Sequence, residues 1–256
     1  MEGSRVDLYY EIHGSGRPVI FIHSGGTDSR LWSFLAPLVA KDYQVITYDG
    51  RGAGKSPSPK EPANYVEDLH ELMDDLHLDT AVLIGHSGGG QIATDFSLQY
   101  PNRVSGLVLI GPSLTGYKPS PEFERWMSEV NAAAPDADKI MELAFSAPLY
   151  RIVMSSPQRR LMIDMFRHHL AKTAEWGSFE SVWPQPPTIG RLEDLRVDTL
   201  LMIGDNEIPD NERVAELFRS LPNVRYVQIP GADHMMPLTH PEMMYSYIAE
   251  FLKERR

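Results

Sequence analysis

The most constraining stretch of this sequence passes from an apolar run, through a glycine-rich turn, straight into a helical pattern. Residues 81–85 (AVLIG) are apolar, the turn follows as residues 85–89 (GHSGG), and residues 88–100 carry apolar side chains at helical spacing. A run that is apolar at nearly every position suits a strand buried on both faces, as in a parallel sheet. A strand, a tight turn and a helix in immediate succession therefore predict an α/β chain.

The rest of the chain repeats this alternation. Helical patterns with one apolar face occupy residues 65–77, 211–220 and 241–253, and residues 8–12 are expected to add an antiparallel edge strand. Further strands are predicted at residues 19–23, 44–48, 81–85, 104–111, 199–204 and 224–229. The predicted fold is a mostly parallel central sheet flanked by helices.

The alternation stops between residues 113 and 185, where helical patterns occur without a convincing strand. This stretch holds three of the four tryptophans and is bounded by prolines on both sides. We interpret residues 113–185 as a helical insertion, a cap or lid folded over one end of the sheet. Residues 1–112 and 186–256 would then form the core domain.

Composition argues against several classes of protein. The formal net charge of −11 disfavours binding to nucleic acid or to an anionic membrane, because both require clustered lysine and arginine. The chain has no cysteine, which excludes disulfides and thiol chemistry. Residues 1–14 do not read as a signal peptide, and no apolar run approaches the roughly 18 residues of a membrane span. We expect a cytoplasmic protein with no nucleic-acid or membrane partner, and its oligomeric state stays open.

Ser87 stands at the centre of the glycine-rich turn, in a Gly-x-Ser-x-Gly motif between a strand and a helix. Such a turn presents the serine hydroxyl at the edge of the sheet, where the amides of the next helix face developing negative charge. Serine needs a base to act as a nucleophile, and His234, just after the last predicted strand, is the best candidate. A carboxylate must orient that base. Asp205, Glu207 and Asp210 all satisfy the chain order serine, acid, histidine.

Four motifs together resemble those of the α/β-hydrolase superfamily, and the resemblance covers nearly the whole chain. They are residues 23–26 (HSGG), which resemble an oxyanion loop, residues 49–56 (DGRGAGKS), which resemble the turn after the next strand, the serine motif, and residues 231–234 (GADH), which resemble the histidine loop. The resemblance implies an α/β-hydrolase fold with a helical cap inserted after the sixth strand. It also implies a reaction that requires no metal and no organic cofactor.

By the same resemblance, Ser87, His234 and Glu207 would be the catalytic residues. The acid of this family usually falls three residues after the glycine that ends its strand, and Glu207 has that position here, although the family usually has aspartate. A second departure is Ser24, where the family usually has glycine.

The resemblance also assigns the groups around the substrate. The backbone amides of Gly25 and Gly88 would form the oxyanion hole, with Gly26 as the neighbouring candidate. Residues expected to bind substrate are Gly26, Trp126, Met127, Met154 and Trp176.

The implied activity is that of a serine hydrolase that cleaves an apolar carboxylic ester or lactone through an acyl-enzyme, and a bulky apolar substrate is expected to fit the methionine-rich segment. Cofactor-free perhydrolysis and cleavage of a C–C bond use the same triad, so both stay open. Another class stays open too, since some members of this superfamily keep the triad but serve as small-molecule receptors that signal to a partner protein. Fast turnover would distinguish an enzyme from a receptor.

Overall fold

Seven strands form one sheet in the computed structural model of the protein, which describes residues 7–254. Residues 1–6, on which the expectation of no signal peptide partly rests, lie outside the described residues. The strands are β1 (Tyr10–His13), β2 (Pro18–Ile22), β3 (Gln44–Tyr48), β4 (Ala81–His86), β5 (Val104–Ile110), β6 (Thr199–Gly204) and β7 (Val224–Ile229). Their order across the sheet is β1-β3-β2-β4-β5-β6-β7, and the pairing of β1 with β3 is antiparallel while the others are parallel. The predicted mostly parallel sheet, with an antiparallel edge strand, is confirmed.

Helices cover both faces of this sheet. Within the described residues they are α1 (Ala36–Val39), α2 (Tyr65–Asp75), α3 (Gly88–Gln99), α4 (Pro121–Ala132), α5 (Ala137–Phe145), α6 (Arg151–Met154), α7 (Arg159–Thr173), α8 (Pro209–Arg219), α9 (Met236–Thr239) and α10 (Pro241–Lys253). Apolar side chains of α1, α9 and α10 join one buried cluster, and those of α2, α3 and α8 join a second. None of these helices is long and apolar enough to cross a membrane, as far as residues 7–254 are concerned.

The two clusters arise from the period of the strands. Successive side chains of a strand point to opposite faces of its sheet. In β2, Val19 and Phe21 therefore enter one cluster, while Ile20 and Ile22 enter the other. All four residues are at most 2% exposed, so the centre of the sheet is shielded from water on both faces. This burial explains the uniformly apolar strands of the sequence.

The helical segment, residues 113–185, lies between β5 and β6. It therefore follows the fifth strand of the described residues and not the sixth, because the strands that precede it are β1 to β5. Val153, Met162 and Met165 of this segment are buried in the same cluster as α10. The segment is thus packed onto the face of the sheet that α10 also covers.

Candidate active site

Ser87 connects β4 to α3 in a backbone conformation that side chains rarely adopt. Its φ is 52° and its ψ is −117°, and within residues 7–254 only His77 shares a positive φ among non-glycine residues. Such a conformation costs about 1–3 kcal/mol and persists where its surroundings enforce it. Here the Ser87 carbonyl accepts hydrogen bonds from the amides of Gly90 and Gln91 at the start of α3, and from Ser113 at 3.0 Å. The turn is thereby held in place from both sides.

The glycines on either side of Ser87 permit the close passage of strand and helix. A Cβ atom on Gly85 would lie less than 3.0 Å from the backbone of Gly89, and one on Gly89 would lie less than 3.0 Å from the Ile22 carbonyl oxygen. Side chains do not tolerate such distances. The Gly-x-Ser-x-Gly spacing is therefore required by the packing of β4, α3 and β2.

Gly25 and Gly88, whose amides are predicted to form an oxyanion hole, lie close together. A Cβ atom on Gly88 would be 3.8 Å from the Gly25 nitrogen, and the space beside Gly25 is open. As the first residue of α3, Gly88 has an amide without an intrahelical partner. His23 holds the Gly25 loop, because its Nδ1–H donates to the Ser24 carbonyl at 2.8 Å and its Nε2 accepts from the Gly50 amide at 2.9 Å.

Of the three carboxylates that follow β6, Glu207 is the one in contact with His234. Its Oε1 accepts a hydrogen bond from His234 Nδ1 at 2.8 Å, and both side chains are buried. Asp205 instead accepts from the Gly231 amide at 2.8 Å, and Asp210 accepts from the Ser120 amide at 2.7 Å. Because a carboxylate can only accept, the proton lies on His234 Nδ1, and Nε2 is free to take a proton from another group.

The surroundings of His234 favour its protonated form. Burial alone lowers the pKa of His234, but the charge and hydrogen bond of Glu207, together with the charge of Asp233, outweigh burial and raise it. The imidazolium that forms during general-base catalysis is thus stabilised where it forms.

Several further residues around this pair were not anticipated from the sequence. Asn211 Nδ2 donates to Glu207 Oε2 at 2.7 Å, one helical turn after the acid. Gly111 directly follows β5 and has a positive φ of 47°. A Cβ atom there would lie 3.0 Å from both Glu207 Oε1 and His234 Nδ1. The one available signal was that Gly111, like the glycines of the other site loops, directly follows an apolar strand.

The loop that carries His234 is also tied to the helical segment. The buried carboxylate of Asp233 accepts hydrogen bonds from the amides of Ile152 at 2.7 Å and Val153 at 3.1 Å, and its other oxygen accepts from Met235 at 3.0 Å. The position of α6 and the position of the His234 backbone therefore depend on one side chain.

His86, directly before Ser87, is hydrogen-bonded to the backbone of the loop that carries His234. Its Nε2–H donates to the His234 carbonyl at 2.7 Å, and the two rings lie 4.6 Å apart. His86 is fully buried, and burial together with the charge of His234 lowers its pKa well below the usual value, so the ring is neutral.

We expect the substitution His86→Phe to lower the free energy of unfolding by about 1–3 kcal/mol, because the buried His234 carbonyl would lose its donor. Urea unfolding measures this loss, with the exposed His168→Phe as the control, expected within about 0.5 kcal/mol of wild type. An unchanged free energy for His86→Phe would show that another group satisfies this carbonyl.

A cavity of about 200 Å³ is lined by Gly25 and Gly88, and among the described residues neither Ser87 nor His234 lines it. Gly26 and Trp176, which the sequence predicts to bind substrate, are among the residues that line it. The positive φ of Gly26, 72°, brings it against the Phe166 ring, and the Trp176 indole donates to the Gly52 carbonyl at 3.2 Å.

The other three residues expected to bind substrate do not line this cavity. Trp126 packs α4 onto α5, with its indole N–H donating to the Leu143 carbonyl at 3.2 Å. Met127, on the same helix, is 37% exposed, and Met154 packs against the buried cluster that contains α10. An aromatic or methionine side chain in a helical segment often packs the segment itself, and the sequence does not distinguish the two uses.

With this geometry established, comparison with known proteins places the chain in a family. The family described as the alpha/beta hydrolase fold matches residues 17–241, and the protein belongs to it. A protein of Bacillus subtilis strain 168, named provisionally as 2-succinyl-6-hydroxy-2,4-cyclohexadiene-1-carboxylate synthase, is 29% identical over 98% of this chain and 96% of its own length.

Solved structures are similar over almost the whole chain. A thermophilic esterase from Thermogutta terrifontis has a TM-score of 0.76 and 25% identity, covering 98% of this chain and 94% of the esterase. A bromoperoxidase from Bacillus anthracis has a TM-score of 0.78 and 27% identity, covering 97% of this chain and 96% of the bromoperoxidase. The protein is thus a hydrolase of the α/β fold, with relatives of differing chemistry.

Proposed function

We propose that the protein is a serine hydrolase that cleaves a small-molecule carboxylic ester or lactone through an acyl-enzyme. The observation that carries this proposal is the buried Glu207–His234 pair, whose histidine is joined through His86 to the turn that presents Ser87. The similarity to an esterase supports ester chemistry. In this proposal the helical segment, residues 113–185, acts as a cap, and Gly26 and Trp176 contact the substrate.

The proposed reaction has two steps, acylation of Ser87 and hydrolysis of the acyl-enzyme. Ser87 Oγ attacks the carbonyl carbon while His234 Nε2 takes its proton, and Glu207 stabilises the resulting imidazolium. The amides of Gly25 and Gly88 hold the negative oxygen of the tetrahedral intermediate, and each such donor is worth about 10²–10³ in rate. His234 then returns the proton to the departing alkoxide. Water then attacks the acyl-enzyme while His234 Nε2 takes its proton, and this proton passes to Ser87 Oγ as the acid is released.

A covalent probe tests the nucleophile directly. A fluorophosphonate transfers its phosphonyl group to an activated serine hydroxyl and loses fluoride. We expect one adduct per chain, and peptide mass spectrometry should place it on Ser87. An adduct on another serine, or no adduct in a protein that hydrolyses esters, would refute the proposed nucleophile.

The size of the cavity predicts a preference for short acyl groups. A volume of about 200 Å³ is below the range of about 300–1,000 Å³ usual for drug-sized ligands. The kcat/KM for p-nitrophenyl acetate and butyrate should therefore exceed that for the octanoate by about tenfold or more, after subtraction of spontaneous hydrolysis. If the octanoate is the fastest, the acyl chain lies outside this cavity.

Perhydrolysis is a second candidate because a bromoperoxidase is 27% identical over nearly the whole chain. In that reaction, hydrogen peroxide takes the place of water in attacking the acyl-enzyme and releases a peracid. Bromination of monochlorodimedone in the presence of acetate, peroxide and bromide would measure it. Activity that requires peroxide, without hydrolysis of esters, would favour this candidate.

A further inference from the structure

The cavity beside Gly25 and Gly88 has aromatic walls and the size of a single ring. Trp176, Trp183 and Tyr65 are among the residues that line it. A dry cavity of about 150 Å³ is known to hold benzene, so about 200 Å³ leaves room for one ring with one or two substituent atoms. An acyl group whose carbonyl oxygen meets the two amides would place such a ring between these walls.

The charges lining this cavity are already balanced. Arg51 is the one lysine or arginine among the described residues that line it, and Asp68 lines it too. Arg51 Nε donates to Asp68 Oδ2 at 3.0 Å, Nη2 donates to Oδ1, and the two side chains are only 12% and 4% exposed. A carboxylate entering the cavity would meet the Asp68 carboxylate as well as Arg51, and it would lose its hydration. The cavity therefore favours a neutral ligand.

His169, on α7, supplies a hydrogen-bonding group without a partner. Its Nδ1 is buried and has no hydrogen-bond partner among the described residues, and the residue lines the cavity. Burial lowers the pKa of His169 to about 4, and the ring is neutral at pH 7. A buried N–H without an acceptor is rarer in proteins than a buried acceptor without a donor. The single proton thus belongs on Nε2, which makes His169 a hydrogen-bond donor in the wall of the cavity.

We propose that this cavity binds the acyl group of the substrate and selects a neutral, ring-sized acyl group that carries a hydrogen-bond acceptor, which His169 recognises. The inference rests on the proposed function, because it takes Ser87 as the group that is acylated. It adds a specificity-determining residue and a substrate class. It also distinguishes this cavity from one built for an anionic acyl group.

Methyl esters test this selection, since their aromatic ring can belong only to the acyl side. The set is methyl benzoate, its three pyridinecarboxylate analogues, methyl hydrogen terephthalate and methyl 4-carbamoylbenzoate, with acid release followed by pH-stat. Each kcat/KM is divided by the rate constant of the same ester with hydroxide. We expect this normalised kcat/KM to be about fivefold to tenfold higher for one of the pyridine esters than for methyl benzoate, which is the value of one hydrogen bond. The normalised kcat/KM of methyl hydrogen terephthalate should fall at least about tenfold below that of methyl 4-carbamoylbenzoate, a neutral ester of the same size, so that the loss reports the charge.

Two variants assign the preference to His169. His169→Phe should reduce the ratio of the best pyridine ester to benzoate to about one, while His169→Gln, which keeps a donor, should retain part of it. His168→Phe is the matched control: this exposed neighbour on α7 lies 3.0 Å from the Gly54 carbonyl, outside the cavity, and should leave the ratio unchanged. A ratio that survives in His169→Phe, or a preference for the terephthalate, would overturn the inference.

A binding measurement separates this inference from the proposed function. The corresponding amides, benzamide and the pyridinecarboxamides, can be titrated into Ser87→Ala and followed by tryptophan fluorescence, since Trp176 and Trp183 line the cavity. Tighter binding of one pyridinecarboxamide, lost in Ser87→Ala/His169→Phe, would support the recognition even if the wild type cleaved no ester. Rapid cleavage of methyl benzoate without preference for any pyridine isomer would leave the proposed function standing and refute the inference.

Discussion

Ser87→Ala is expected to lower kcat/KM for p-nitrophenyl butyrate by about 10⁶, which is the scale seen when a triad nucleophile is removed. The expectation follows from the position of Ser87 in the strained turn that starts α3, directly before Gly88. Removing the hydroxyl leaves the amides in place but removes the acyl acceptor. Residual hydrolysis by water held in the site should be all that remains.

The same variant should be nearly as stable as the wild type. Ser87 Oγ makes no hydrogen bond within residues 7–254, so its removal leaves no buried partner unsatisfied. Urea unfolding should agree with wild type within about 0.5 kcal/mol. Ser113→Ala, the same change in a neighbouring serine, serves as the control and should keep activity within about threefold. Turnover in Ser87→Ala above about one hundredth of wild type would mean that another group is the nucleophile.

The elements that could be predicted accurately are those whose burial requires a regular pattern of apolar residues. Elements without such a pattern were predicted less accurately. The strands at the centre of the sheet are buried on both faces, and their predicted bounds agree with the structure to within a residue. The edge strand was expected at residues 8–12 but is Tyr10–His13, and all four of its residues are exposed. An exposed strand has no apolar face to mark where it begins and ends.

A helix end without a sequence signal was also misplaced. The helix predicted to run to residue 77 ends at Asp75, because Leu76 caps it and His77 adopts a positive φ of 55°. Glycine is the usual residue at such a position. Histidine there gave no indication that the helix stops.

The same distinction holds for the candidate site: local sequence motifs indicate some of its residues, and only tertiary contacts identify the others. Ser87 and His234 stand out locally, each at a glycine-rich turn after a strand. The choice among three acids depends on contacts between distant parts of the chain, such as the pairing of Asp210 with Ser120 across 90 residues. The same holds for Trp126, whose contact with Leu143 depends on how α4 meets α5.

Glu207→Gln is expected to lower kcat by about 10³–10⁴, the effect of the equivalent change in other triads. Two causes combine in this structure. The neutral amide no longer stabilises the imidazolium of His234. In addition, Asn211 Nδ2 already donates to the Oε2 position, so the glutamine must place its oxygen there and turn its NH₂ group toward His234. Facing a donor, His234 Nδ1 must give up its proton, and Nε2 then carries it and cannot act as a base.

The pH dependence should change in a defined direction. The base works as neutral imidazole, so activity is present above the pKa of His234 and is lost as the pH falls through it. The wild type should lose kcat/KM with an apparent pKa above 6.5, because Glu207 and Asp233 together outweigh burial. In Glu207→Gln the largest raising influence is gone, and the residual activity should be lost below 6.5 instead. Asp205→Asn, on the same loop, should change neither the rate by more than about threefold nor this pKa.

A second substitution tests the tautomer argument itself. In Glu207→Gln/Asn211→Asp, the new carboxylate at position 211 would accept from the glutamine NH₂ group, and the glutamine oxygen would again face His234 Nδ1. Because Asn211 Nδ2 also lies 3.1 Å from His234 Nδ1, the new carboxylate would in addition return a negative charge to the histidine. We expect kcat to recover by about tenfold relative to Glu207→Gln, although the acid remains absent from its original position. If the double variant is no faster, the loss in Glu207→Gln depends on the carboxylate at position 207 itself and not on the tautomer of His234. If Asp205→Asn proves to be the damaging change, Glu207 is not the acid that His234 uses.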